Sequence, residues 1–101
     1  MELKAGTRLR SQACTTEVIV VRPPAGDVDL RCGGAPLVPV GGDVNPQPLD
    51  PGHQAGTQLG KRYADGTTGL ELLCTKAGEG SLSVNGAPIN MKDAKPLPSS
   101  D

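Results

Sequence analysis

The sequence predicts an all-β domain that consists of two similar β-hairpins. Three observations lead to this prediction. No segment has the period of an amphipathic helix, the apolar residues fall into short runs bounded by Pro and Gly, and the second half of the chain repeats features of the first. At 101 residues the chain has the length of a single domain.

The composition restricts how a core can be built. The chain has no Phe, no Trp and one Tyr, so its core must consist of Val, Leu, Ile and Ala. Aromatic side chains supply much of the buried area in small domains. We therefore expect a supplement to the core, and a metal, a disulfide and oligomerisation are the candidates.

The first half is expected to form one hairpin. Residues 3–10 alternate loosely and predict a first strand, residues 17–22 are rich in Val and Ile, and residues 28–31 alternate. A Pro-Pro-Ala-Gly-Asp turn separates the last two segments. The pattern predicts that they pair with each other, with Cys14 and Cys32 at the outer ends of the hairpin.

Changes in composition divide the chain into four segments. Residues 1–40 are the first repeat, which carries two cysteines, and residues 41–59 are a Pro/Gly-rich linker or a long surface loop. Residues 60–91 are the second hairpin, and residues 92–101 are an extended or disordered tail.

The two hairpins align along much of their length. Residues 6–9 (GTRL) fall on residues 60–63 (GKRY), Glu17 falls on Glu71, Gly26 on Gly80 and residues 28–30 on residues 82–84, all at a shift of 54 residues; after a two-residue deletion, residues 34–37 (GAPL) fall on residues 86–89 (GAPI). This run of matches favours an internal duplication. A chance similarity between two Gly-rich hairpins is the alternative.

The segments around the first two cysteines carry a family resemblance. The chain reads SQACTTEV at residues 11–18 and LRCGGAPL at residues 30–37. These segments resemble the patterns C-x-x-C-G-x-x-V and L-x-C-C-G-x-P-M of desulforedoxin and the N-terminal domain of desulfoferrodoxin, a rubredoxin-like zinc-ribbon type. The resemblance covers about the first 40 residues and implies a small β fold that works as a homodimer. A tandem repeat would reproduce that dimer within one chain, as a pseudo-dimer of two halves that are each too small to be stable alone.

The resemblance also implies an incomplete metal site. In that family four thiolates hold one Fe or Zn ion. Here Cys14 and Cys32 match two of the ligands, whereas Ser11 and Gly33 stand at the positions of the other two. The matching positions of the second half are Asp65, Thr68 and the Asn85-Gly86 region, which contain no thiolate ligand.

Three roles remain open for Cys14 and Cys32. In the first role the two cysteines are a relic of the site, in a domain that binds or scaffolds a protein. In the second role they bind Zn or Fe, and the site is completed by a second chain's cysteine pair or by His53 and water. In the third role they form a reversible disulfide. The third role needs one thiol of lowered pKa, which Arg10 and Arg31 would favour. We expect no bound cofactor, Cys74 to be a small buried hydrophobe and His53 to be an exposed polar residue.

Charge and motifs exclude other classes. The net charge is −1, the basic residues are scattered, and no segment is apolar enough to span a bilayer, so neither nucleic acid nor membrane is an expected partner. Three cysteines without a signal peptide indicate a cytoplasmic protein. No catalytic motif occurs. The sequence thus predicts a small non-enzymatic accessory or interaction module whose partner is another protein or a second copy, with metal binding or thiol redox through Cys14 and Cys32 as the alternative.

Overall fold

The computed structural model describes residues 3–92 and is all-β, as predicted. Its ten short strands are β1 (Arg8–Arg10), β2 (Glu17–Arg22), β3 (Leu30–Cys32), β4 (Ala35–Pro36), β5 (Val38–Pro39), β6 (Arg62–Ala64), β7 (Glu71–Lys76), β8 (Leu82–Val84), β9 (Ala87–Pro88) and β10 (Asn90–Met91). The helical content of the described part is one 3-10 turn, Pro51–His53. None of the elements between residues 3 and 92 is a helix long and apolar enough to cross a membrane.

The strands form two antiparallel sheets. The larger sheet has the order β10-β6-β7-β2-β1-β5, and the smaller sheet has the order β4-β3-β8-β9. In each sheet the strands of the first half lie on one side and those of the second half on the other. The halves meet where β2 pairs with β7 and where β3 pairs with β8.

The predicted pairing of the two strands within each hairpin is wrong. The strands β2 and β3 lie in different sheets, and so do β7 and β8. The segment that leaves β2 begins with two prolines, which donate no backbone hydrogen bond and cannot continue a ladder. After β2 the chain therefore crosses from one sheet to the other, and it makes the same crossing after β7, where residues 77–81 (AGEGS) contain no proline. β2 pairs instead with β7, and β3 pairs with β8. The first strand also begins later than predicted, at Arg8.

Strand registers in the two halves follow constant offsets. Arg8 pairs with Ile19, and the residues 54 positions later, Arg62 and Leu73, pair with each other. From β3 onward the offset is 52, because Cys32 pairs with Ala35 as Val84 pairs with Ala87. The offset thus changes from 54 to 52 before β3, whereas the sequence alignment placed this two-residue deletion after residue 30. By register, the counterpart of Cys32 is Val84 rather than the Asn85-Gly86 region.

The core between the sheets is almost entirely aliphatic. Its buried members are Leu3, Leu9, Val18, Val20, Val28, Leu30, Cys32, Leu37, Tyr63, Leu70, Leu72, Cys74, Leu82, Val84 and Ile89. Each Leu or Val that leaves water contributes about 1.5–3 kcal/mol to stability. As predicted, Cys74 is among them, 1% exposed in the middle of β7.

Residues 41–59 run over the end of the first half. The amides of Gln47 and Asp50 donate to the carbonyl oxygens of Gln12 and Gly33, at 2.9 Å each. Gly34 has φ +90°, and a Cβ there would lie 2.6 Å from the Cβ of Asp50. This close approach requires glycine. The segment therefore packs against both cysteine-bearing turns.

Candidate functional site

The first cysteine lies in a tight turn between β1 and β2. The turn closes with a hydrogen bond of 2.8 Å from the Ser11 amide to the Thr16 carbonyl. The Ser11 hydroxyl oxygen accepts hydrogen bonds from the amides of Ala13 and Cys14, at 3.0 and 3.1 Å. A serine at the start of a turn favours this geometry. The turn presents the half-buried Cys14 thiol toward the end of β3.

The second cysteine ends β3 and is completely buried. The Sγ atoms of Cys14 and Cys32 are 4.0 Å apart, and both thiols are free. A disulfide requires about 2.05 Å between the sulfurs. A side-chain movement of about 2 Å would therefore join the two. The structure brings together the two cysteines that the sequence singled out from positions 18 residues apart.

Three hydrogen-bonding partners surround the Cys14 sulfur. The Gly80 amide donates to it at 3.3 Å, and the hydroxyl oxygens of Thr16 and Ser11 lie 3.2 and 3.5 Å away. Burial raises the pKa of Cys14, but these hydrogen bonds favour the thiolate more strongly and lower the pKa from 9.0 to about 7. The lowered pKa increases the population of Cys14 thiolate near neutral pH.

The pKa values of the other two thiols are raised instead of lowered. Burial, and then the charge of the neighbouring Cys14, raise the pKa of Cys32 to about 12. Burial also raises the pKa of Cys74, whose thiol donates to the Lys76 carbonyl at 3.3 Å. Because the thiolate is the nucleophile, Cys14 is the reactive thiol of the three.

The second half of the chain completes the site. The turn after β7 brings Gly78 and Gly80 against Cys14. A Cβ at Gly78 would lie 2.9 Å from the Cys14 sulfur and 2.3 Å from the Thr16 hydroxyl oxygen, and one at Gly80 would lie 3.1 Å from the same sulfur. There is no room for a side chain at either position.

The residues present do not form a four-thiolate metal site within one chain. Ser11 uses its hydroxyl to hold the turn, and Gly33, with φ +67°, has no donor side chain. Residues 3–92 contain no group of three or more His, Cys, Asp or Glu side chains that could hold a metal. His53 instead lines a surface cavity of about 400 Å³ with Tyr63 and Met91. Completion of the site by a second chain stays a prediction.

The corresponding turn of the second half has a different chemistry. The Asp65 carboxylate accepts hydrogen bonds from the Thr68 amide and hydroxyl, at 3.1 and 2.7 Å. The hydroxyl of Thr68 stands where the Cys14 thiol stands in the first half. The hydrogen bond from the Thr68 hydroxyl lowers the pKa of Asp65.

Four residues of the site were not predicted from the sequence. Thr16 and Thr57 have hydroxyl oxygens 2.6 Å apart, and Gly78 and Gly80 form the wall over Cys14. Thr57 and the two glycines reach the site through contacts between distant parts of the chain. Only Thr16, two positions after Cys14, had a local signal.

Comparison with known proteins identifies no relative. The chain matches no protein-family model, no curated protein and no solved structure.

Proposed function

We propose that the protein is a small thiol-redox module in which Cys14 is the attacking thiol and Cys32 is the resolving thiol. The observation that carries the proposal is the 4.0 Å separation between a half-buried Cys14 sulfur with three hydrogen-bonding neighbours and a fully buried Cys32 sulfur. This is the thiol-redox alternative that the sequence predicts. The asymmetry between the two thiols favours it over a relic site, in which nothing would maintain a thiolate.

The oxidant in this proposal is a disulfide. The Cys14 thiolate attacks one sulfur of the disulfide, whose S–S bond breaks and releases one thiolate, leaving Cys14 in a mixed disulfide. Cys32 then gives its proton to the released thiolate, and its sulfur attacks the Cys14 sulfur. The second thiolate of the oxidant leaves. Two thiols of the protein become one disulfide while one external disulfide becomes two thiols.

The order of attack follows from exposure and charge. Cys14 is accessible and partly ionised, whereas Cys32 is completely buried. The Cys14 thiolate is also one of the causes that raise the pKa of Cys32. When Cys14 enters the mixed disulfide its charge disappears, and the pKa of Cys32 falls. The second thiol thus becomes easier to ionise only after the first has reacted.

Mixing the reduced protein with hydroxyethyl disulfide tests the proposal. We expect the intact mass to fall by about two daltons as one disulfide forms. The variant Cys32→Ser should stop at the mixed disulfide, Cys14→Ser should not react, and Cys74→Ala should behave like the wild type. No change in wild-type mass, or an equal reaction of Cys14→Ser, would overturn the assignment.

A duplication of one unit would explain the two halves. The registers of β1 with β2 and of β6 with β7 agree at an offset of 54 residues, which supports this origin. In this view the second half lost the two site cysteines and kept its turn. A desulforedoxin-like origin of the unit and the predicted role as an accessory module for another protein stay predictions.

A further inference from the structure

A chain of hydroxyl groups leads away from the Cys14 sulfur. The Thr16 hydroxyl oxygen lies 3.2 Å from that sulfur and 2.6 Å from the Thr57 hydroxyl oxygen. Both threonines are buried, at 0% and 5% exposure. Thr57 belongs to the loop between β5 and β6 and lies 43 positions after Cys14 in the sequence. Its hydroxyl is connected to the Cys14 sulfur through the Thr16 hydroxyl.

Each hydroxyl in the chain has one hydrogen to donate and a choice of acceptor. The Thr57 oxygen accepts from the Gly78 amide at 3.2 Å, and its hydrogen has three acceptors within reach, which are the Gly78 carbonyl at 3.4 Å, the Thr16 oxygen and the Cys74 sulfur. The Gly78 carbonyl already accepts from the Thr57 amide at 3.0 Å. The hydroxyl of Thr57 is therefore not needed to satisfy that carbonyl.

Two arrangements of the hydrogens satisfy the whole chain. When Cys14 is a thiol, it donates to Thr16, Thr16 donates to Thr57, and Thr57 donates to the Gly78 carbonyl. When Cys14 is a thiolate, Thr57 gives up its hydrogen bond to the Gly78 carbonyl and donates to Thr16, and Thr16 donates to the sulfur. Hydrogen bonds to a charged acceptor are stronger, and hydrogen bonds in a chain strengthen one another. The reversed arrangement therefore gains more from Thr57.

We propose that Thr57 is a positioning residue that acts through the Thr16 hydroxyl to stabilise the Cys14 thiolate. The proposal rests on the proposed redox function, and it explains why a threonine of a Pro/Gly-rich loop is buried against the reactive thiol. A purely structural role is the alternative, because Thr57 also forms a β-bridge with Gly78. That role would affect stability but not the ionisation of Cys14.

Other ionisable groups surround the site and must be kept constant in a test. They are Cys32 on β3, Cys74 and Lys76 on β7, Glu17 on β2, Arg10 on β1, Glu79 in the turn after β7, and Asp50 and His53 in the covering loop. Cys32 and Cys74 interact electrostatically with Cys14, and Lys76 pairs with Glu17 at 4.0 Å. None of these residues is changed in the variants below.

The test is the pH dependence of Cys14 alkylation by iodoacetamide, located by peptide mass mapping. Because only the thiolate reacts, the midpoint of the profile reports the pKa of Cys14. We expect Thr16→Val to raise the midpoint by about one unit and Thr57→Val by about half a unit, which slows alkylation at pH 7 about twofold. Thr57→Ser, which keeps the hydroxyl, should have the wild-type profile.

The double variant decides whether Thr57 acts through Thr16. Thr57→Val should cause no further shift when it is combined with Thr16→Val. A wild-type midpoint in Thr57→Val, or an equal shift in the presence and absence of Thr16, would overturn the proposal. If the double variant does not fold, the comparison of Thr57→Val with Thr57→Ser decides instead. If the alkylation profile depends on Thr57 but the protein forms no Cys14–Cys32 disulfide, the role of Thr57 is supported and the redox function is rejected.

Discussion

Two turns of this protein share a backbone and differ in chemistry. The turn of residues 11–16 closes with a 2.8 Å hydrogen bond from the Ser11 amide to the Thr16 carbonyl, and that of residues 65–70 closes in the same way from Asp65 to Leu70, also at 2.8 Å. In both turns the first side chain accepts from the amide three positions later. The backbone geometry therefore does not depend on a cysteine.

The difference lies in what covers each turn. The first turn is covered by Gly78 and Gly80 of the second half, which leave room for a sulfur and supply an amide hydrogen bond to it. At the second turn the Thr68 carbonyl accepts from the amide of Ala25, which follows two prolines. A reactive thiol thus needs its neighbours from the other half as well as its own turn.

The largest expected effect comes from closing the space over Cys14. A Cβ at Gly78 would lie 2.6 Å from the Thr16 amide nitrogen, a backbone atom that cannot move away cheaply. We expect Gly78→Ala to lower the free energy of unfolding by about 3 kcal/mol. The matched control in the second turn is Gly66→Ala, since a Cβ there would meet nothing within 4 Å. Urea unfolding of both variants measures the difference, and equal midpoints would contradict the account.

Rebuilding the pair in the second half tests the correspondence of the turns. By register, Thr68 and Val84 stand where Cys14 and Cys32 stand. We expect Thr68→Cys combined with Val84→Cys to form a second disulfide on oxidation, with a stabilisation of about 2 kcal/mol. Thr68→Cys with Gly86→Cys follows the sequence alignment instead, and it should not form one, because Gly86 has φ +84° and lies beyond the strand. Peptide mapping distinguishes the two results.

Ionisation of Cys14 should make the stability of the reduced protein depend on pH. The pKa of Cys14 is about 7 in the folded protein and 9.0 in the unfolded chain, so the unfolded chain binds more protons between these values. Stability should therefore rise between pH 7 and 9, by on the order of 1 kcal/mol after allowance for solvent screening. Above pH 9 it should fall, because folded Cys32 keeps its proton until about pH 12.

Urea unfolding at pH 6.5, 8.5 and 10 under reducing conditions measures this dependence. The rise should disappear in Cys14→Ser and persist in Cys74→Ala. A rise that survives in Cys14→Ser would assign the dependence to another group.

The smallest effect concerns the second turn. Its hydrogen bonds from Thr68 lower the pKa of Asp65, so Asp65 stabilises the fold above its unfolded pKa, and this contribution is lost as the pH falls through the folded value. The carboxylate is largely exposed, and we expect a loss of only a few tenths of a kcal/mol in Asp65→Asn. Melting temperatures measured from pH 7 down to pH 2 should converge for the two proteins at the acid end.

Local patterns in the sequence predicted the longer strands but not their partners. The β-branched run of residues 17–22 and the apolar run at residues 69–75 of the predicted second hairpin contain strands, since side-chain shape and turn residues are local properties. The pairing of β2 with β7 joins residues more than 50 positions apart, and no local pattern reports it. Two short segments joined by a turn suggest a hairpin, but the chain changes sheets both after β2, where two prolines follow, and after β7, where none does.

The candidate site was predictable to the same extent. Cys14 and Cys32 were identified because their residue patterns resemble a metal-binding family, and the structure brings their sulfurs to 4.0 Å. The difference in pKa between the two thiols was not predictable, because it depends on the amide of Gly80 and on the burial of β3. Thr57 was hidden in a loop whose composition indicates only turns.

The most direct test of the central claim is a time course of alkylation at pH 7 with all three cysteines followed by peptide mass mapping. The account predicts that Cys14 is labelled first and that Cys32 and Cys74 are labelled only after unfolding. It also predicts that prior oxidation by a disulfide protects Cys14 and Cys32 together while Cys74 stays reduced. Equal rates for the three thiols, or protection of Cys14 without Cys32, would contradict the account.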